Sequence, residues 1–294
     1  MSAFAFFGAI ELGLVYAFVA LGVFLSFRVL DFPDLTVDGS FPLGAAVAAV
    51  MIVGGWNPWL ATGLACVAGA MAGLVTAFVS VRFQILHLLA SILTMIALFS
   101  INLRIMGRPN IPVLNKETVI TPFYDLGLQP HFVRPLFLLV AAGVGAVLLA
   151  LFLRTDLGLA MRATGANQRM ARAQGIRVGA QIMAGVALSN ALVALAGAFF
   201  AQTNGFADVT SGVGTIVVGL AAVIVGETLL PRGGMFVAVA GCVLGSVLYR
   251  LAVQLALSLD FLGLEPSDLN LATAALVLVT LILPKIRQRR KAAA

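Results

Sequence analysis

The residues able to carry chemistry are few and gather in two places. Between two apolar runs, the segment Asp31-Phe-Pro-Asp-Leu-Thr-Val-Asp-Gly-Ser-Phe-Pro42 sets three carboxylates beside two prolines. Pro33 and Pro42 lack an N–H and Gly39 tolerates positive φ, so a continuous helix is disfavoured there. Asp38 or Ser40 is a natural N-cap for a helix starting near Pro42. Two readings stand side by side. The acids cap and solvate a turn near Arg28, or the segment is a re-entrant break lining a pathway, since irregular backbone at membrane depth is tolerated only beside protein or water.

The second place is Thr155 to Ile176, rich in arginine and punctuated by Gly158, Gly165 and Gly175. The spacing predicts two short helices, roughly Leu159 to Thr164 and Gln168 to Gln174, with Asn167 capping the second. Leu159, Met161, Met170 and Ala171 would offer a small apolar surface flanked by Arg162, Arg169 and Arg172. Such a knob suits docking into a groove on another protein. The plainer alternative is a basic loop present only because positive residues stay on the cytoplasmic side.

Catalytic and metal constellations are not visible. No Gly-Lys dipeptide occurs, so a Walker A loop cannot be built. No His/Asp/Glu cluster or activated nucleophile has plausible spacing, which disfavours a membrane enzyme. His87 reads as an interhelical hydrogen-bonding residue, and Cys66 and Cys242, each inside an apolar stretch, as small packing residues. Glu227 and Arg232 read as an interfacial ion pair, with a proton relay as the alternative. Arg250, inside a hydrophobic run, must pair or snorkel, because a bare charge at the bilayer centre costs at least about 2.5 kcal/mol. Gly69-x-x-x-Gly73 and Gly241-x-x-x-Gly245 are candidate close-packing faces.

The elements that must position these residues follow from composition. Of 294 residues, 61% are hydrophobic and 10% charged, and the mean hydropathy is +1.08; a soluble domain carries about 25% charged residues. Apolar runs lie near Phe6–Phe27, Pro42–Val53, Trp59–Val81, Ile85–Met106, Pro135–Leu153, Ala180–Ala201, Val213–Leu230, Met235–Leu257 and Leu269–Leu283. The fold class expected is all-α: a polytopic membrane protein of about 8–10 transmembrane helices, one domain over 1–294. The second run is too short to cross about 30 Å of hydrocarbon unless residues from Leu35 onward join it in a broken element. The first run lacks a basic leader and reads as a retained span.

Thirteen of the eighteen basic residues fall on one side if the C-terminal Lys285, Arg287, Arg289, Arg290 and Lys291 are cytoplasmic. That side then holds Arg28, Arg82, the 154–177 arginines and Arg232, and the N-terminus lies outside. Asp208, Asp260, Glu265, Asp268 and the segment Gly107 to Arg134 fall on the opposite face. The +6 charge thus reflects topology rather than a nucleic-acid partner.

At an offset of 174 residues, Ala17–Leu21 aligns with Ala191–Leu195, and Phe32, Asp34, Leu35, Thr36 align with Phe206, Asp208, Val209, Thr210. With the assigned orientation this predicts an inverted repeat, about 10–106 and 180–284, broken near 31–42 and 204–214. Chance similarity between Ala/Val/Gly-rich helices is the alternative. Asp34, Thr36, Asp38, Asp208 and Thr210 become the candidate pathway residues.

Arg162-Ala-Thr-Gly-Ala-Asn167, then Ala171 and Gly175-Ile176, together with Gly226 and Gly233-Gly234, resemble permease subunits of ATP-binding-cassette importers for branched-chain amino acids, ribose and related solutes. Asp34-Leu-Thr-Val-Asp-Gly-Ser40 followed by Gly44-Ala-Ala46 resembles a subgroup associated with tryptophan, tyrosine or related aromatic solutes. The resemblance implies that Leu159, Met161, Arg162, Gly165, Asn167, Arg169, Ala171 and Gly175 couple to a separate ATPase carrying ATP and Mg. It also implies an extracytoplasmic solute-binding protein, a second permease copy making a homodimer, alternating access, and residence in a bacterial-type cytoplasmic (inner) membrane. The outer segments 107–134 and 258–268 are the candidates to receive the binding protein, with plain connectors as the alternative. The competing reading is an ion-coupled secondary transporter or facilitator.

Overall fold

The computed structural model describes residues 3–126, 130–230, 234–257 and 278. The ninth apolar run (Leu278 apart), the basic tail, Arg232, Gly233 and the acids at 260, 265 and 268 lie outside the described residues.

Each of the first eight apolar runs is a helix. α1 (Ala3–Val23) continues into a π-helical turn, Phe24–Val29; then come α2 (Val37–Val53), α3 (Pro58–Phe83) and α4 (His87–Met106). After a short strand β1 (Asn110–Pro112) and a 3₁₀ turn (Thr121–Leu126), α5 (Pro130–Phe152) leads to two small helices, α6 (Asp156–Ala166) and α7 (Gln168–Ala173). α8 (Val178–Asn204), β2 (Phe206–Asp208), α9 (Thr215–Leu229) and α10 (Met235–Leu257) complete the described chain. The protein is therefore an all-α, multi-pass membrane protein, in which six helices among the described residues are long and apolar enough to span.

α2 and α9 are the exceptions. With 17 and 15 residues, they extend only about 25 and 23 Å at 1.5 Å per residue, less than a hydrocarbon core of about 30 Å. Both follow a break in the chain. α1 and α8 form the buried centre, whereas α3, α4, α5 and α10 turn large apolar side chains such as Leu93, Val144 and Leu248 outward, as lipid-facing helices do.

Packing is related across the two halves. α3 lies along α8 and α2, as α10 lies along α1 and α9; α2 packs on α8 as α9 packs on α1, and α1 meets α8. Small residues make these contacts close, since apolar burial alone does not drive helices together in lipid. A side chain at Gly44 would overlap the Ala194 backbone, and one at Gly197 the Phe41 carbonyl. Gly69 and Gly73 meet the Asn190 region of α8, and Gly241 and Gly245 meet Gly226 and Ala222 of α9, so both small-residue faces are used.

Candidate functional site

The first break begins where the π-helical turn ends. Asp31 adopts φ 53°, a left-handed conformation that Asp tolerates better than most residues, and turns the chain out of the helix. Asp34 is fully buried. Its Oδ1 accepts from Thr36 N at 2.9 Å, closing a local turn, and its Oδ2 accepts from Asn190 Nδ2 of α8 at 2.6 Å. The Thr36 hydroxyl meets the Thr76 hydroxyl of α3 at 2.8 Å. Ser40 donates to Asn190 Oδ1 at 2.7 Å, and Asn190 Nδ2 also donates to Val186 O at 3.0 Å. A buried carboxylate is tolerable only when held by donors in this way.

The second break repeats the local turn. Asp208 Oδ1 accepts from Thr210 N at 2.7 Å and from the Thr210 hydroxyl at 2.5 Å, while Asn110 Nδ2 donates to Oδ2 at 3.2 Å. β2 pairs antiparallel with β1 and aligns Asp208 with Asn110. Burial alone would raise the Asp208 pKa, yet the bonds from Thr210 and Asn110 bring it below the ordinary aspartate value. Asp34 and Asp208 thus share a turn geometry but not an environment: Asp34 is buried against α8, whereas Asp208 is half-buried and Thr210 exposed.

Asp38 joins the two breaks. The helix begins at Val37 rather than near Pro42, so Asp38 and Ser40 lie inside α2 and cap nothing in it; Pro42 is accommodated within the helix and Gly39 is helical. The Asp38 carboxylate instead accepts from Gly214 N at 3.2 Å and Ile216 N at 2.8 Å, capping the N-terminus of α9. Gly212 makes room, since any side chain there would overlap the Asp38 carbonyl.

At the opposite end, Thr155 caps α6 by accepting from Gly158 N at 3.3 Å, and Asn167 Oδ1 accepts from Arg169 N and Met170 N, both at 3.0 Å, to cap α7. Gly158 and Gly165 do not interrupt α6, which runs through both; Gly175, with φ 80°, closes the pair. Gly165 is required for another reason: a side chain there would overlap the Val29 carbonyl at the end of the π-helical turn. Leu159 and Met170 are exposed with Arg162, Arg169 and Arg172, but Met161 and Ala171 are buried and fix the knob to its own bundle.

Glu227 pairs with Arg28, Nε to Oε1 2.6 Å, linking the end of α1 to α9; Arg232, its expected partner, lies outside the described residues. Arg250 is nearly buried with its guanidinium 4.1 Å from the centre of the Tyr16 ring. His87 Nδ1 and Ser80 Oγ lie 2.6 Å apart across the α3–α4 turn. Both thiols are free.

The sequence reading missed Asn190, Thr76, Asn102 and Gln202. Each is a polar residue within an apolar helix, and that is the signal that could have found them. Gln202 donates to Thr62 Oγ1 at 2.8 Å and accepts from Val119 N at 2.9 Å.

Residues 5–283 match the family described as the permease component of branched-chain amino acid transport systems. A tyrosine transport system permease protein of Clostridioides difficile is 35% identical over 95% of this chain and 96% of its own. An uncharacterized protein, RP368, of Rickettsia prowazekii is 36% identical over 63% of each chain. Among solved structures, a chain of PsaBC from Streptococcus pneumoniae, in complex with Fab, is similar in fold, with TM-score 0.52 and 17% identity over 95% of this chain and 91% of that one.

Proposed function

This chain belongs to the family of permease components of branched-chain amino acid transport systems, and from that premise we propose that it imports an aromatic amino acid as one half of a homodimeric pathway. Separate ATP-binding-cassette ATPase subunits, carrying ATP and Mg, grip the α6–α7 knob from the cytoplasm. An extracytoplasmic solute-binding protein delivers the solute at the opposite face. The chain itself is not an enzyme. Its N-terminus lies outside and its C-terminus inside, and residues about 10–106 and 180–284 act as repeats of inverted topology.

The observation that carries this reading is the contact of Gly165 with the Val29 carbonyl, because it joins the knob to the segment that leads into Asp34. From there the chain is bonded to α8 through Asn190 and to α9 through Asp38. A shift of the knob on ATP binding would displace both breaks together, as alternating access requires. The solute is proposed from the whole-length similarity to the tyrosine permease.

The test is uptake of radiolabelled L-tyrosine, L-tryptophan and L-phenylalanine into cells producing this chain together with an ATP-binding-cassette ATPase and a solute-binding protein from the same organism. ATP-dependent accumulation of at least one supports the reading. Accumulation that continues without a functional ATPase and follows an ion gradient overturns it in favour of an ion-coupled carrier.

A further inference from the structure

A pocket of about 420 Å³ opens between α2, α4 and the segment before α9, within the range of about 300–1,000 Å³ usual for small-molecule sites. Its walls include Pro42, Met95, Phe99 and Val213, and its polar lining is Asp38, Asn102 and the Ser100 hydroxyl, which can donate or accept. It lies where the two breaks meet, because Asp38 from the start of α2 caps α9 there.

Asn102 is completely buried at this pocket. Its Nδ2 is committed to Gly39 O at 3.1 Å, whereas its Oδ1 accepts no hydrogen bond among the described residues. An unfilled buried acceptor is costly, about 1–3 kcal/mol, and this one belongs to a residue of the pocket lining, so a ligand donor that reaches it after a small side-chain movement would fill it. The Asp38 carboxylate, whose oxygens also accept from Gly214 N and Ile216 N, adds negative charge and further acceptor capacity, and among the described residues no basic residue lines the pocket. The lining therefore favours a hydrogen-bond donor or cation over an anion, with Phe99 and Met95 beside it for an apolar or aromatic body.

We propose that this pocket is the solute-contacting site of the permease, holding the ammonium of an aromatic amino acid toward Asn102 Oδ1 and Asp38 and its ring against Phe99 and Met95. The proposal rests on the permease reading above and adds to it which residues touch the solute and which end of the solute they read. Small movements of the α4 side chains must accompany entry, since Asn102 is covered.

The experiment uses full-length permease assembled with its ATPase in membranes, with Cys66→Ala and Cys242→Ala. Single cysteines are placed at Met95→Cys and Val213→Cys on two walls of the pocket, and at Leu248→Cys on the outward face of α10 as a control. Modification by a small methanethiosulfonate is timed with millimolar L-tyrosine, tyramine, or 3-(4-hydroxyphenyl)propionate, which lacks the amine. L-Tyrosine and tyramine are expected to slow modification at 95 and 213 and not at 248; the propionate slows none. Adding Asn102→Leu raises the concentration for half-protection about tenfold, the factor that one hydrogen bond to an ammonium supplies. If Asn102→Leu fails to assemble, the single-cysteine variants still decide. Equal protection by the propionate, or none by L-tyrosine while the unmodified transporter takes L-tyrosine up, overturns the site alone. Absence of aromatic amino acid uptake by the unmodified transporter overturns the functional reading, and the site with it.

Discussion

Asn190 donates from Nδ2 to Asp34 Oδ2 across 2.6 Å while its Oδ1 accepts from Ser40 at 2.7 Å, so one amide of α8 fastens both the first break and the start of α2. Replacing Asn190 with Leu leaves a buried carboxylate short of a donor and is expected to cost at least about 3 kcal/mol. The reciprocal exchange, Asp34→Asn with Asn190→Asp, restores a carboxylate–amide bond and recovers part of the loss. Unfolding by SDS in mixed micelles measures the cycle; strictly additive losses would contradict a direct bond.

Gly165 meets the Val29 carbonyl, so enlarging it separates the knob from the π-helical turn. Gly165→Ala is expected to cost about 1–3 kcal/mol through overpacking. Gly165→Val combined with Arg162→Ala should abolish uptake while the assembled ATPase still hydrolyses ATP. Unchanged uptake with normal ATPase association would refute the coupling role.

The Arg28–Glu227 pair behaves differently. Its side chains are 65% and 34% exposed, so Glu227→Gln should change stability by less than about 1 kcal/mol. Thermal unfolding in detergent decides, and a larger loss would mean that the pair is shielded in the assembled protein.

Asp208 has its pKa lowered by Thr210 and Asn110 despite the opposing effect of burial. The folded state therefore favours the ionised form, and its contribution is fully present above the unfolded value and is lost as pH falls through the folded one. The stability difference between the wild type and Asp208→Asn should be constant above about pH 5 and shrink below about pH 4. A difference that grows on acidification would reverse the assignment.

Much of the fold was legible because membrane-buried backbone must be helical and apolar; nine runs could be read off, and the eight that fall within the described residues are helices. The breaks were legible too, from Asp-x-Thr at 34–36 and 208–210, since the same local turn forms at both. Helix caps were harder. Asp38 looked like the cap of its own helix because Pro42 follows it, but its bonding partner lies at Ile216, and sequence spacing carries no signal of a contact that distant. Gly165 was read as punctuation because glycine ends helices; here it is a close approach within one. Asn190, whose partners are Asp34 and Ser40, was hidden in an apolar span for the same reason of distance.

If the α6–α7 knob is a cytoplasmic handle for a separate motor, Arg169 on α7 must be reachable from the cytoplasm and from that side alone. Arg169→Cys in a background lacking Cys66 and Cys242 is treated with a membrane-impermeant maleimide in intact cells and in inverted vesicles. Labelling is expected in inverted vesicles alone. Labelling in intact cells would place the knob outside, where no cytoplasmic motor could grip it.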